Sequence, residues 1–460
     1  MKRTTIKDAA AWMRAGTDGD VNREIYAVST DSRTVGKGEC FFAIKGENFN
    51  GHDYVAGALS KGAVCAVVHK DWAGQACGCI LRVEGTVEAL GLLAGEYRRR
   101  LKAKVVAIAG SAGKTTSREM IYHVLSSKLK AFRSPKNFNN KIGVPLTILG
   151  ADGDEDALVV ETGTDHPGEI AYLTRIVQPD IAVITNVYPE HLDGLGDIEG
   201  VLVEECSIAE GLNNGGRLMI NGAMPQIVCY CRNKGYRFLT FGRDDSCDIA
   251  VSGAGSDGES GRFIIGGVRV AVPAAGEGNI DNAIGAWAVA REFGFTPQQF
   301  SDAIRTFRPS AMRMEVLRFG CATVISDCYN ANPASMKNAL GVLASMGRGK
   351  RKVFICGPMK EMGAMSEEFH AELGRQVAAA GVSLLLTAGQ MKTTVEAARH
   401  VAKNGLRAVL FADARELADK LCEFVDPNDI ILVKGSRSVK LELAVEALKK
   451  IFDNGSDVRE

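Results

Sequence analysis

A glycine-rich segment between residues 107 and 116 carries the residue types that bind phosphate groups. Glycines let a backbone turn sharply and bring its N–H groups against phosphate oxygens. The Lys114 ammonium can reach the outer phosphates of a nucleotide, and the Thr115 hydroxyl can coordinate a magnesium ion. The segment therefore predicts a phosphate-binding loop that consists of Gly110, Ser111, Ala112, Gly113, Lys114, Thr115 and Thr116.

The sequence on both sides supplies the elements that such a loop needs. An apolar run at 105–109 predicts a strand, and residues 117–125 follow a helical pattern. The N-terminus of a helix adds partial positive charge beside a bound phosphate. The full G-x-x-x-x-G-K-S/T motif is incomplete, because Ile108 stands where its first glycine belongs. An ordinary strand-to-helix turn therefore remains the alternative.

Two more side chains with metal-binding chemistry follow predicted strands. Glu161 ends an apolar run, and His191 comes five residues after Asn186, which ends the next one. Ligands of parallel sheets gather at the carboxyl ends of the strands. A carboxylate and an imidazole at these ends predict magnesium near the nucleotide phosphates. A surface salt-bridge partner and a turn histidine remain the alternative on these grounds alone.

The chain has 460 residues, which is too long for one core. We predict three domains with boundaries at 1–100, 101–310 and 311–460. In the second and third, strand and helix patterns alternate, which is typical of a parallel sheet covered by helices on both faces. No G-x-G-x-x-G follows the first strand of the third block, so we do not predict a dinucleotide site there.

Composition excludes several other classes of protein. Lys+Arg and Asp+Glu both total 55, so the formal net charge is zero, which argues against nucleic acid or a membrane surface as partner. The sequence contains no run of about 18 apolar residues, so it predicts no membrane-spanning helix. The N-terminus lacks the apolar core of a signal peptide. The 12 cysteines are scattered without zinc spacing. We therefore expect a cytoplasmic protein with reduced thiols, and a monomer.

Two asparagine-rich segments can contact a ligand. Residues 137–145 combine three asparagines with a glycine and a proline, and the amides of Asn139 and Asn140 can bind a ligand or cap a turn. Asn279 lies at the start of an alanine-rich helical pattern that reaches about Glu292. A helix N-cap is the simplest role for Asn279.

Taken in order along the chain, these motifs resemble the Mur ligase family. The resemblance extends over nearly the whole chain, and the ordered set of motifs is specific. It is carried by residues 31–33, 46–53, 110–116, 137–145, 161–170, 186–196, 313–315, 327–333, 361–363 and 434–437. It implies an α/β fold of three domains: a small N-terminal α/β domain that binds UDP, a central P-loop ATPase domain with a parallel sheet, and a C-terminal Rossmann-like domain.

The resemblance is closest to the group that adds D-alanyl-D-alanine to UDP-N-acetylmuramoyl-tripeptide. It implies ATP-dependent amide bond formation through an acyl phosphate, in the synthesis of peptidoglycan precursors, with ATP and Mg²⁺ as cofactors. By the same resemblance, Thr115, Glu161 and His191 hold magnesium, Asn279 and Asn282 lie against adenine, and Arg313 and Asp327 contact the nucleotide after domain closure. The catalytic residues it implies are Lys114, Glu161, His191, Glu205 and Arg313. The substrate-binding residues it implies are Ser32, Arg33, Asn139, Asn140, His166, Asn330, Asn332, Ser436 and Arg437.

Several positions depart from the family pattern. Glu205 stands where the family commonly has a carbamylated lysine beside the second magnesium, and we expect its carboxylate to replace that ligand. Gly278 replaces a usual histidine, and Pro358 replaces a usual acidic residue. Three alternatives to the function stay open: a Mur-like ligase with another carboxylate or amine substrate, a non-catalytic homologue that binds a nucleotide or UDP-sugar, and an unrelated phosphate-loop kinase or GTPase. For Glu205, the alternative is a surface role in a site without a second metal.

Overall fold

The structure is a computed structural model that describes residues 1–347, 349–402 and 405–453. Residues 454–460 of the predicted third domain lie outside the described residues. The α/β fold class is confirmed, because helices alternate with mostly parallel strands in three separate large sheets. The domain boundaries at 100 and 310 stay predictions. Within the described ranges, no helix has the length and apolar character needed to cross a membrane.

The first large sheet has five strands in the order β2-β7-β6-β5-β4. Only β2 runs antiparallel to its neighbour, and β1 pairs with β3 in a separate short ladder. The strands are β1 (Thr4–Thr5), β2 (Gly16–Asp18), β3 (Glu24–Ile25), β4 (Ala27–Ser29), β5 (Glu39–Phe42), β6 (Cys65–His69) and β7 (Cys79–Val83). The helices are α1 (Ile6–Met13), α2 (Val55–Ser60) and α3 (Thr86–Arg98), with a 3-10 turn at Gly51–Tyr54.

The central sheet has seven strands, all parallel, in the order β14-β13-β12-β11-β8-β10-β9. Its middle strands are apolar and buried on both faces, as expected when helices cover a parallel sheet on both sides. The strands are β8 (Lys104–Ala109), β9 (Ala131–Arg133), β10 (Ala157–Glu161), β11 (Ile181–Ile184), β12 (Arg217–Asn221), β13 (Phe238–Gly242) and β14 (Ile249–Ala250). A small antiparallel sheet follows, with β15 (Ser252–Ser256), β16 (Gly261–Ile265) and β17 (Val268–Val272).

The helices around the central sheet place polar residues at the carboxyl ends of its strands. β8 lies between β10 and β11, so the loop after β8 emerges beside Glu161 and beside the segment that follows β11. The helices are α4 (Lys114–Ser126), α5 (Gly143–Gly150), α6 (Glu169–Val177), α7 (Leu192–Leu195), α8 (Ile198–Cys206), α9 (Pro225–Asn233), α10 (Glu277–Glu292) and α11 (Pro297–Ile304), with a 3-10 turn at Ser207–Gly211.

The third sheet has six strands in the order β18-β19-β23-β20-β21-β22, and only β18 is antiparallel. The strands are β18 (Glu315–Phe319), β19 (Ala322–Asp327), β20 (Lys352–Cys356), β21 (Leu384–Ala388), β22 (Arg407–Phe411) and β23 (Ile430–Lys434). The helices are α12 (Pro333–Ser345), α13 (Ser366–Ala379), α14 (Lys392–Val401), α15 (Ala414–Lys420) and α16 (Glu442–Asp453). Three 3-10 turns lie at Gly363–Met365, Leu421–Glu423 and Arg437–Val439.

The hydrophobic cores show how the domains are joined. One core runs without interruption from the first sheet into the central one, through the buried side chains of Leu90, Leu93 and Tyr97 on α3. Arg98 ends this helix and donates hydrogen bonds to the Val177 carbonyl (2.8 Å) and to Asp180 (2.9 Å). The third sheet has its own cores on its two faces. The first two domains are therefore packed as one unit, and the third is packed largely by itself.

Candidate active site

The predicted phosphate loop has the backbone geometry that its glycines allow. Gly110 has φ of +129° and Gly113 has φ of +82°, a region that other residues rarely adopt. A Cβ atom at Gly110 would lie 2.1 Å from the Thr185 hydroxyl oxygen. The Asn186 side chain braces the loop, since it accepts a hydrogen bond from the Ala112 N–H (2.8 Å) and donates one to the Ala112 carbonyl (2.9 Å). These hydrogen bonds fix the backbone conformation of the loop at the N-terminus of α4.

Glu161 is buried at the end of β10 and receives hydrogen bonds from three side chains. The Thr115 hydroxyl donates at 2.9 Å, the Asn139 amide at 2.9 Å and the Arg118 guanidinium at 3.0 Å. Arg118 also donates to Glu119, one residue along α4. Sequence reasoning missed Arg118, because only the folded chain brings its guanidinium to Glu161.

The pair of Thr115 and Glu161 fits a magnesium ion. Their two oxygens are 2.9 Å apart. Two oxygen ligands at right angles on an octahedral magnesium ion, with bonds of about 2.1 Å, are about 3 Å apart. A hydroxyl and a carboxylate oxygen are also the hard ligands that this ion prefers. The residues present therefore fit the group, at the point where the outer phosphates of a bound nucleotide are expected.

Lys114 lies between two buried glutamates. Its Nζ is 3.4 Å from Glu190 Oε1 and 3.9 Å from Glu205 Oε1, and it also donates to the Gly110 carbonyl. Burial raises the pKa of Glu190 to about 8; Lys114 opposes this shift and Glu205 adds to it. Burial lowers the pKa of Lys114, but the nearby carboxylates outweigh it, so the net shift is upward. Glu190 was missed by sequence reasoning, although it precedes His191.

Glu205 lies behind the phosphate loop. Its side chain is wholly buried on α8, so the alternative of a surface helix residue is wrong. Its Oε2 accepts a hydrogen bond from the Gly110 N–H, whereas Oε1 has no hydrogen-bond partner among the described residues. Burial raises the pKa of Glu205, and Lys114 opposes the shift. The carboxylate contacts the loop and does not line the cavity described below. Its role as a metal ligand stays a prediction.

His191 is held by a contact between two domains. It caps α7 with φ of +50°, and its Nδ1 hydrogen-bonds the carboxylate of Glu361 from the third domain. Its Nε2 lies 3.9 Å from Glu190 Oε2. The Leu192 N–H donates to the Glu361 carbonyl at 2.7 Å, and the Gly363 N–H donates to Asp193 at 2.8 Å. We call these contacts between residues 191–193 and residues 361–363 the clasp.

A cavity of about 1120 Å³ opens between the central and third domains. Most of the site residues predicted from the sequence line this cavity. From the central domain they are Ser111, Ala112, Gly113, Lys114, Thr115, Thr116, Asn139, Asn140, Glu161, His191, Asn279 and Asn282; from the third domain they are Arg313, Asp327, Asn330 and Asn332.

The third domain presents an ordered set of polar groups to this cavity. Arg313 stacks on the Tyr329 ring, with its guanidinium carbon 4.1 Å from the ring centroid. Asp327 pairs with the buried Lys434 at 2.6 Å. Asn332 caps α12 and also donates to the Ser111 carbonyl at 3.3 Å. The phosphate loop is therefore touched directly by the third domain.

On helix α10, the simple N-cap interpretation of Asn279 is wrong. Gly276 is the N-cap, and Asn279 lies inside the helix, where its amide donates to the Ala275 carbonyl at 2.8 Å. Asn282 donates to Asn279 at 3.2 Å and accepts from Ser117 at 3.1 Å. These bonds fix both amides at the cavity wall.

Some predicted residues do not line the cavity. Arg33 is exposed and pairs with Asp31, and the His166 ring pairs with Asp165 at the surface. In the third domain, Ser436 accepts from the Lys360 N–H at 3.1 Å, and Arg437 pairs with Glu442 at 2.9 Å. The predicted residues in this group are Ser32, Arg33, His166, Glu205, Ser436, Arg437 and Gly110.

The chain is similar along its length to known proteins. It is 31% identical to the UDP-N-acetylmuramoyl-tripeptide--D-alanyl-D-alanine ligase of Bacillus subtilis, over 97% of this chain and 99% of the relative. The chain belongs to the Mur ligase family. The family models for the catalytic domain, the middle domain and the glutamate ligase domain match residues 24–98, 108–290 and 312–437 of this Mur ligase.

Further relatives agree with this assignment. The Escherichia coli enzyme of the same name is 33% identical over 92% of this Mur ligase and 94% of its own length. The crystal structure of MurF from Acinetobacter baumannii superposes with a TM-score of 0.89 at 28% identity, covering 98% of this chain and all of that one. The MurF ligase of Thermotoga maritima in complex with ADP gives a TM-score of 0.82 at 26% identity, covering 93% and 98%.

Proposed function

We propose that this Mur ligase joins D-alanyl-D-alanine to UDP-N-acetylmuramoyl-tripeptide at the expense of ATP, in the synthesis of peptidoglycan precursors. The observation that carries this proposal is the single cavity that brings the phosphate loop, Glu161 and His191 together with Arg313 and Asp327 from the third domain. Relatives that carry the name of this activity align over nearly the whole chain, including all three blocks.

The chemistry follows from the difficulty of the reaction. A free carboxylate is a poor electrophile, because its leaving group would be oxide. Transfer of the γ-phosphoryl group of ATP to the terminal carboxylate gives an acyl phosphate, which the dipeptide amine attacks with release of phosphate. Lys114 would bind the outer phosphates, and Arg313 would offset charge that develops during transfer. Thr115 and Glu161 would hold one Mg²⁺ and His191 another, and these ions would screen the crowded negative charges.

The remaining roles extend this proposal to the two substrates. Ser32 and Arg33 would hold the UDP part, with Asn139, Asn140 and His166 along the peptide. In the third domain, four residues would face the incoming dipeptide: Asn330, Asn332, Ser436 and Arg437. Arg437 now pairs with Glu442, so this role requires that pair to open. The cytoplasmic location and the monomeric state remain predictions.

The decisive experiment is phosphate release from ATP by purified protein with UDP-N-acetylmuramoyl-tripeptide, with and without D-alanyl-D-alanine, and without added bicarbonate. We expect release that requires both substrates, together with the pentapeptide product in a mass spectrum. Release with other amines but not with D-alanyl-D-alanine would point to a ligase with another acceptor. ATP binding without any release would point to a non-catalytic homologue.

A further inference from the structure

At the back of the cavity, acidic side chains outnumber basic ones. Lys114 faces two buried carboxylates, Glu190 and Glu205, whereas the carboxylate of Glu161 is matched by the buried Arg118. This ammonium can balance only one of the two as a carboxylate, and an uncompensated buried charge is costly. If Lys114 turned toward nucleotide phosphates, a cation beside these glutamates would take over this balance.

The two glutamates are not equivalent. Glu190 lines the cavity, and its Oε2 is 3.9 Å from His191 Nε2. The other ring nitrogen of His191 already bonds Glu361, which leaves Nε2 as the free ligand. Glu205 is away from the cavity wall, its Oε2 bonds the Gly110 N–H, and its Oε1 is buried without a hydrogen-bond partner among the described residues.

We infer that Glu190, with His191, supplies the protein ligands of the second Mg²⁺, and that Glu205 is a positioning residue that anchors the phosphate loop. This inference rests on the proposed function. Ligands of one octahedral ion lie about 3 to 4 Å apart, so the separation between Glu190 and His191 fits a shared ion. Glu205 Oε2 is already engaged by the Gly110 N–H, and Glu205 does not line the cavity in which that ion would lie.

The anchoring role of Glu205 follows from where its hydrogen bond falls. Gly110 is the first residue of the loop and has a positive φ, so its N–H direction determines how the following residues turn. A carboxylate that binds this N–H and faces Lys114 holds the loop at its first residue and at the start of α4. Glutamine can still accept the Gly110 hydrogen bond through its amide oxygen, whereas alanine cannot.

The test counts bound Mn²⁺ by electron paramagnetic resonance, in place of Mg²⁺, on the full chain saturated with the β,γ-imido analogue of ATP. We expect two ions in the wild type, and a loss of affinity for one of them by more than about tenfold in Glu190→Gln. Glu190→Asp keeps the charge and should recover part of that affinity. Glu205→Gln should retain both ions. Glu210→Gln, an exposed residue just beyond α8, is the matched control.

Glu205→Ala separates the anchoring role from metal binding. We expect weaker binding of the imido analogue measured without any divalent ion, while Glu205→Gln binds it like the wild type. Two tight ions in Glu190→Gln, one ion in the wild type, or loss of an ion in Glu205→Gln would each overturn the inference. A failed ligase assay would instead refute the proposed function, since ion counting needs neither the tripeptide nor the dipeptide.

Discussion

Asn332 donates a hydrogen bond to the Ser111 carbonyl at 3.3 Å, and this bond links the third domain directly to the phosphate loop. The same side chain caps α12, because its oxygen accepts from the Ser335 N–H at 2.8 Å. One residue thus fixes the start of a helix and the position of a domain. Two substitutions can separate these effects.

Asn332→Ala should lower the free energy of unfolding by about 1 kcal/mol through loss of the cap. Asn332→Ser retains a capping oxygen and should stay within a few tenths of a kcal/mol of the wild type. Both lose the bond to Ser111, so both should raise the KM for ATP to a similar extent. Urea unfolding and initial-rate kinetics measure the two effects. A normal KM in Asn332→Ser would show that the contact to the loop is unimportant.

Lys114→Ala should reduce ligation by at least about 100-fold, because in the proposed reaction the variant lacks the cation that would face the transferring phosphate. Phosphate release under saturating substrates measures this. Lys130→Ala is a suitable control, since Lys130 is an exposed lysine that pairs with Asp154 away from the cavity. Appreciable residual ligation in Lys114→Ala would contradict the role of the loop.

Arg118→Ala should destabilise the protein by roughly 3 to 5 kcal/mol, because Glu161 would keep a buried charge without its guanidinium. Arg133 offers a matched comparison. It pairs with Glu119 at 2.9 Å but is partly exposed, so Arg133→Ala should cost about 1 kcal/mol or less. Denaturant unfolding of both variants measures the difference. Equal losses would mean that Glu161 is neutralised in another way.

The buried Glu190 predicts a pH dependence of stability. An unfolded glutamate releases its proton near its ordinary pKa of 4.5, whereas folded Glu190 holds it until about 8. Between these values the folded chain binds more protons than the unfolded one, so the free energy of unfolding falls as the pH rises. Glu190→Gln should flatten this fall. Urea unfolding at pH 5 and pH 8 measures the free energy of unfolding of both proteins. An equal change between the two pH values in the wild type and in Glu190→Gln would refute the raised pKa of Glu190.

The clasp predicts a link between domain closure and turnover. Glu361→Ala removes the carboxylate on His191 and leaves the backbone bond to Leu192 in place. We expect kcat to fall by about fivefold or more, on the basis of about 1 kcal/mol for one hydrogen bond. Small-angle scattering should show a larger average radius. Glu367→Ala, an exposed acidic residue in the first turn of α13, controls for charge. An unchanged radius and kcat would argue against the clasp.

Local pattern was enough to predict the loop and its flanking elements. The apolar run became β8, and the helix after it begins at Lys114. These features depend on residues that are close in sequence, and there the hydrophobic periodicity and the glycine positions indicate strand, turn and helix. The confirmed α/β class follows from the same alternation of strands and helices.

Long-range partners could not be predicted in this way. Glu361 hydrogen-bonds His191 although the two are 170 residues apart in the sequence, and Arg118 and Glu161 are in contact at a separation of 43 residues. Glu205 and Glu204 are adjacent and both buried, yet Glu204 bonds the N–H groups of Gly168 and Ile170 while its neighbour bonds the loop. Composition and spacing do not distinguish two such glutamates. Only the way α8 packs in the folded chain distinguishes Glu204 from Glu205.

The uninterrupted core between the first two sheets determines how the first two domains lie relative to each other. Because a shared core on α3 and the hydrogen bonds of Arg98 join these domains, we expect the distance from the proposed UDP site to the phosphate loop to change little when substrate binds. In the proposed reaction, a precursor that is one amino acid shorter or longer should therefore place its terminal carboxylate less well against the γ-phosphate. The fixed spacing of the two domains can thus contribute to selection by peptide length, beside any contacts to the third side chain.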